Sequence, residues 1–166
     1  MAFFKEQLVG VKAFVFDVDG VLANSKVVLH PSGDLMRTMN TKDGYAIQRA
    51  VKTGFIVGII TGAKSVSIRH RFEAIGVTDI YIDSSDKPKD MLDFLKRNNL
   101  DYQDVMYMGD DLPDLEVIKS VGLATCPADA VEEIQSSCAY ISDLNGGEGC
   151  VRDIVEQVLR AQKKWG

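Results

Sequence analysis

The sequence predicts an α/β fold, a doubly wound parallel sheet with helices on both faces, as a single domain over residues 1–166. Three observations carry that expectation. Short, mainly apolar runs at residues 11–16, 55–60 and 104–108 have the composition of strands buried on both sides. Segments with helical spacing alternate with them, as in β–α–β connections. A chain of 166 residues, 46% hydrophobic and 26% charged, can bury a core without staples. Ligands of such sheets bind beyond the carboxyl ends of the strands.

The elements follow in order. The first run, residues 11–16, stops at Asp17-Val18-Asp19-Gly20. Residues 21–40 break the alternation, because Val27-Val28-Leu29 and residues 35–39 flank the turn sequence His30-Pro31-Ser32-Gly33-Asp34. That predicts a β-hairpin flap and no separate cap domain. Residues 43–52 place Tyr45, Ala46, Ile47, Ala50 and Val51 at helical spacing. The second run, residues 55–60, stops at Thr61-Gly62, and Val66, Ile68, Phe72 and Ile75 predict a helix over residues 65–75. Asp86-Lys87-Pro88-Lys89 opens a helix whose periodic part is residues 89–97. The third run, residues 104–108, stops at Gly109-Asp110-Asp111, and helices are predicted over residues 112–121 and 150–162. The basic tail, residues 162–166, is expected to be a frayed helix end.

Composition excludes some functions. A net charge of −5 argues against a nucleic-acid surface, which needs clustered Lys and Arg. It leaves an anionic small molecule open, since a local pocket or a bound cation can supply positive charge. Cys126, Cys138 and Cys150 form no Cys-x-x-Cys pair and are read as reduced, structural thiols. No apolar run approaches the roughly 20 residues of a membrane span, and the N-terminus lacks the apolar stretch of a signal peptide. A cytoplasmic protein without membrane partners is expected.

The strand ends carry the chemistry. Asp17 and Asp19 are two carboxylates on one turn, so one can attack phosphorus while the other serves as acid and base. A surface turn would have the same sequence. Asp110 offers a hard oxygen to a cation such as magnesium, and Asp111 is a candidate to hold a metal-bound water or to orient Lys87. Asp114 fits either a second-tier metal role or a first-turn carboxylate favoured by the helix dipole. Thr61, Gly62 and the amides that follow form an anion-binding corner or simply a helix cap. Lys87 either holds a phosphoryl oxygen or is solvated.

Taken together, Asp-x-Asp-Gly, Thr-Gly, Lys and Gly-Asp-Asp-x-x-Asp resemble, in order, the motifs of the haloacid dehalogenase superfamily over nearly the whole chain. The resemblance implies a Rossmann-like fold with Asp17 as nucleophile and Asp19 as general acid/base. It places Mg2+ on Asp17, the Asp19 carbonyl and Asp110, and the phosphate on Gly20, Thr61, Gly62 and Lys87. Asp19 favours the phosphatases, because dehalogenases of the superfamily lack it.

Within the superfamily the short hairpin, Asn40-Thr41-Lys42-Asp43-Gly44-Tyr45 and Gly146-Gly147-Glu148-Gly149 look like the capless phosphatases of 3-deoxy-D-manno-octulosonate 8-phosphate. That likeness implies a homotetramer assembled through the hairpins, a sugar-acid phosphate as substrate and a part in lipopolysaccharide biosynthesis. It implies sugar contacts from Lys42, Asp43, Gly44 and Arg69 or Arg71, with Gly147, Glu148 and Gly149 arriving from a neighbouring subunit. Ala63-Lys64 after Thr-Gly, and Glu148 where an Arg is common, depart from that pattern and leave a nine-carbon 9-phosphate as the alternative. A phosphoacceptor domain and a non-catalytic tetrameric scaffold are the readings of a different class.

Overall fold

The computed structural model describes residues 3–166. The chain runs through α1 (Phe4–Gly10), β1 (Ala13–Phe16), β2 (Val28–Leu29), β3 (Leu35–Met36), α2 (Thr41–Lys52), β4 (Ile56–Ile60), α3 (Val66–Glu73) and β5 (Asp79–Tyr81). It continues through α4 (Lys87–Asn98), β6 (Val105–Met108), α5 (Leu115–Ile118), β7 (Leu123–Cys126), α6 (Glu132–Gln135), β8 (Tyr140–Ile141) and α7 (Cys150–Ala161). Six strands pair in parallel in the order β5-β4-β1-β6-β7-β8, and β2 and β3 form the separate antiparallel hairpin.

The sheet divides its side chains between two layers. Phe14 and Phe16 of β1 point into the core made with α1, α2, α3 and α7, through Leu8, Ile47, Phe72 and Val155. Ala13 and Val15 point the other way, toward Met91 and Phe94 of α4, Ile118 of α5 and Ile134 of α6. Both faces of β1 are therefore covered, which is why its sequence shows no polar alternation. The chain winds outward from β1 through β4 to β5, then returns to β6 on the other side of β1. That reversal opens a crevice at the carboxyl ends of β1, β4 and β6, where the three motifs emerge.

Three expectations change. The helix predicted over residues 112–121 is a 3-10 turn, Leu112–Asp114, followed by the single-turn α5. Pro113 lacks an N–H, and the Asp111 and Asp114 side chains bond the backbone locally and tighten that turn. The C-terminal tail is tied down rather than frayed. Gln162 Nε2 donates to the carbonyls of Leu8 and Val11 at 3.0 and 2.8 Å. Trp165 lies edge-on to Tyr45, with the Arg152 guanidinium 5.3 Å from its ring centre. Finally α1, β5, β7, α6 and β8 add to the predicted elements; β5 has three residues, β8 two and α6 four.

Candidate active site

Asp17 ends β1 and is buried, with its N–H donating to the Met108 carbonyl of β6 at 3.1 Å. Its Oδ1 accepts from the Val18 N–H at 2.7 Å, which fixes the carboxylate at the mouth of the crevice. Its Oδ2 lies 2.8 Å from Lys87 Nζ. Lys87 reaches it from the first turn of α4, where Asp86 caps the helix by accepting from the Lys89 N–H at 3.1 Å. The lysine is 6% exposed, so the solvated alternative is excluded.

Asp114 organises the opposite wall. Its Oδ1 accepts from Lys87 Nζ at 2.6 Å and from the buried Tyr107 hydroxyl at 2.5 Å. Its Oδ2 accepts from the N–H groups of Asp110 and Asp111 at 3.1 and 3.3 Å. The carboxylate that orients Lys87 is thus Asp114. Asp111 is exposed, and its Oδ1 accepts from the Leu112 N–H at 2.8 Å. Gly20 has φ +82°, and a Cβ there would overlap the Asp110 carboxylate, so only glycine lets the loop after β1 close over it. Gly147, at φ +76°, donates its N–H to the Val21 carbonyl at 2.8 Å, which seats the glycine-rich segment on that loop from within the same chain.

Asp17, Asp110 and Asp114 each bring a carboxylate oxygen within 4.8 Å of the others. Burial, and then the charge of Asp114, push the Asp17 carboxyl up to about 6 against the pull of Lys87. Burial, and then Asp17 and Asp114, push Asp110 up to about 8. Burial opposes the Lys87 charge, but the two carboxylates outweigh it and hold the lysine above its ordinary value. One lysine does not balance these acids, and an all-oxygen donor set suits a hard divalent cation. Asp114 already accepts from two donors on each oxygen, whereas each Asp17 oxygen has one, so Asp17 and Asp110 are the carboxylates with capacity left to hold it.

A cavity of about 730 Å³ opens above this cluster, bounded by Asp17, Asp19, Thr61, Lys87 and Asp110. Thr61 is buried at the end of β4, where its Oγ1 accepts from the Ala63 N–H at 3.2 Å. Ser65 makes no side-chain cap to α3. Asp19 borders the same cavity, and both its oxygens are held by Arg37 of the hairpin, which the sequence did not single out.

The residues predicted to touch the sugar lie elsewhere in this chain. Asp43 is 1% exposed and accepts from the Arg152 N–H at 2.8 Å, so it caps α7. Gly44 packs against Arg71 Nη2. Arg69 donates to the Ile80 carbonyl at 2.9 Å. Lys42, Glu148 and Gly149 border a separate surface cavity of about 460 Å³. The three cysteines are unpaired, with Cys126 and Cys150 buried. Among the described residues no helix is long and apolar enough to cross a membrane.

Known proteins resemble the chain over nearly its whole length. Residues 74–154 match the family of haloacid dehalogenase-like hydrolases. The chain is 33% identical over 154 residues to the 3-deoxy-D-manno-octulosonate 8-phosphate phosphatase KdsC of Escherichia coli K12, covering 93% of this chain and 82% of that protein. The crystal structure of the same-named phosphatase from Yersinia pestis superposes with a TM-score of 0.94 at 30% identity, over 97% of this chain and 87% of that one. The Moraxella catarrhalis enzyme, solved with magnesium, phosphate and the sugar acid KDO, gives 0.93 at 28% identity, over 97% and 92%. The chain belongs to the haloacid dehalogenase superfamily. Within it, this is a phosphoric monoester hydrolase of the phosphatase group that resembles KdsC.

Proposed function

We propose that this chain is a magnesium-dependent phosphatase of a keto-deoxy sugar acid, with 3-deoxy-D-manno-octulosonate 8-phosphate as its substrate. The observation that carries the reading is the buried Asp17, pinned by Lys87, beside Asp110 and two residues before Asp19. Asp17 attacks phosphorus, the bond to the sugar oxygen breaks, and Asp19 gives that oxygen its proton. Water then attacks the aspartyl-phosphate, Asp19 takes the proton, and Asp17 is regenerated with release of phosphate. Lys87, Thr61 and the amides after it hold the phosphoryl oxygens as their charge redistributes. Asp17 and Asp110, with the Asp19 carbonyl, would hold the magnesium, which supplies charge neutralisation for the acids and the phosphate.

The names of the relatives support the eight-carbon acid. Glu148 keeps the nine-carbon 9-phosphate as a second reading. We propose a homotetramer in which Glu148 and Gly149 reach the site of an adjacent subunit, because they border a surface cavity apart from their own chain's Asp17, while Gly147 stays seated on its own chain's loop.

A phosphate-release screen over eight- and nine-carbon sugar-acid phosphates tests the reading. The expected result is release that needs magnesium, stops with EDTA and is fastest with the eight-carbon ester. Release indifferent to EDTA, or none from any sugar-acid phosphate, would overturn it.

A further inference from the structure

Arg37 lies on the hairpin strand side, yet its side chain is only 5% exposed. Its Nε and Nη2 donate to the two oxygens of Asp19 at 2.5 and 3.0 Å, and its Nη1 donates to the Leu35 carbonyl at 2.6 Å. A guanidinium has five N–H donors in a fixed fork, so this pose leaves capacity for another acceptor. The guanidinium borders a second cavity, of about 350 Å³, between the hairpin turn at Gly33, Asp34 and Leu35 and the loop at Gly62, Ala63 and Lys64. Asp19, Gly62 and Ala63 border both this cavity and the larger one over Asp17. The two spaces therefore meet at Asp19.

That arrangement has a direction. On the phosphatase reading, a phosphoryl group on Asp17, Lys87 and Thr61 would put the leaving oxygen by Asp19, and the second cavity is space that continues past it. The other cation there, Lys64, is 79% exposed and pairs with Asp83 at 3.4 Å, so it is a rim charge. Arg69 is turned to the Ile80 carbonyl and Arg71 to Gly44. Arg37 is thus the buried guanidinium that borders this space.

We propose that Arg37 is a specificity-determining residue that holds the carboxylate of the leaving group by exchanging it for the Asp19 carboxylate. The exchange conserves the bidentate pairing, since one carboxylate replaces another on the same fork. It also turns Asp19 loose toward the leaving oxygen, so a leaving group that carries an acid releases the side chain its own reaction needs. A neutral leaving group makes no such exchange. This proposal rests on the phosphatase reading above.

The test compares Arg37→Met and Arg37→Lys with the parent protein on two esters, a sugar-acid phosphate and p-nitrophenyl phosphate, both with magnesium. Arg37→Met disturbs Asp19 with either ester, so the readout is the ratio of the two losses in kcat/KM. The expected loss on the sugar-acid ester exceeds that on p-nitrophenyl phosphate by about 30-fold or more, mainly in KM, as for removal of one partner of a buried charge pair. Arg37→Lys should recover part of that difference. Titration of the free sugar acid, followed calorimetrically, should show weaker binding to Arg37→Met. Equal losses on both esters, or unchanged binding of the free acid, would overturn the proposal while the phosphatase reading stands. A parent protein inactive on both esters would overturn the phosphatase reading and the proposal with it.

Discussion

At the scale of single residues, the site is a charge-balance problem that one lysine and a network of donors meet only in part. Asp114 has four donors on its two oxygens and is 1% exposed. Asp114→Asn leaves Lys87 with Asp17 alone and turns an NH2 group toward acceptor-seeking donors. We predict a loss of about 3 kcal/mol in urea denaturation, as for breaking a buried pair. A loss under about 0.5 kcal/mol would show that Asp114 is not the anchor of Lys87. Asp17, Asp110, Thr61 and Lys87 were legible in the sequence because each stands at the end of a strand or the start of a helix. The role of Asp114 was half legible, since Asp111-Leu112-Pro113-Asp114 spells a capping pair. Arg37 was not legible, because its partner lies 18 positions away across a hairpin whose fold back over the motif no local pattern reports.

At the scale of elements, the packing of α2 on α7 turns on Asp43. Its Oδ1 serves the Arg152 N–H, while its Oδ2 is buried without a partner. Burial raises the carboxyl to about 6, although the N–H groups of Arg152 and Gly149 favour its ionised form. A raised carboxyl weakens the fold wherever it is ionised. That penalty is full above pH 6, shrinks as the pH falls through 6, and is gone below about 4, the unfolded value. Asp43→Asn keeps an acceptor for Arg152 and places a neutral group at the orphaned position. Its thermal midpoint near neutral pH should equal or exceed the parent's, and its gain in stability between pH 6 and 4 should be smaller by about 1–2 kcal/mol. A variant much less stable than the parent at neutral pH would contradict this. Strands β1, β4 and β6 were legible because each is a central strand covered on both faces. Strands β5 and β8 are sheet edges of three and two residues, too short to show a period.

At the scale of the whole molecule, the reversal of winding beside β1 gathers residues 17, 61, 87 and 110 at one end of the sheet. The hairpin stands outside that sheet and exposes Val28, Leu29, Leu35 and Met36, with Leu29 at 77%. Such a patch on a two-stranded flap is suited to a partner, and the proposed tetramer would cover it with copies of the same hairpin. Light scattering should give about four times the chain mass of 18.3 kDa, and Leu29→Asp should give a smaller species. A monomeric parent protein would contradict the tetramer. Doubly wound topology was legible from alternation alone. The packed tail was not, because Trp165 and Gln162 meet partners more than a hundred positions earlier.

The central claim is that Asp17 takes the phosphoryl group, and phosphate release by Asp17→Asn in magnesium tests it most directly. The substitution keeps the side-chain size and leaves Asp114 to hold Lys87, so the fold should persist with a thermal midpoint close to the parent's. The account predicts release from a sugar-acid phosphate slower by more than about 1,000-fold, as for loss of a nucleophile. Turnover within tenfold of the parent, in a folded variant, would contradict it.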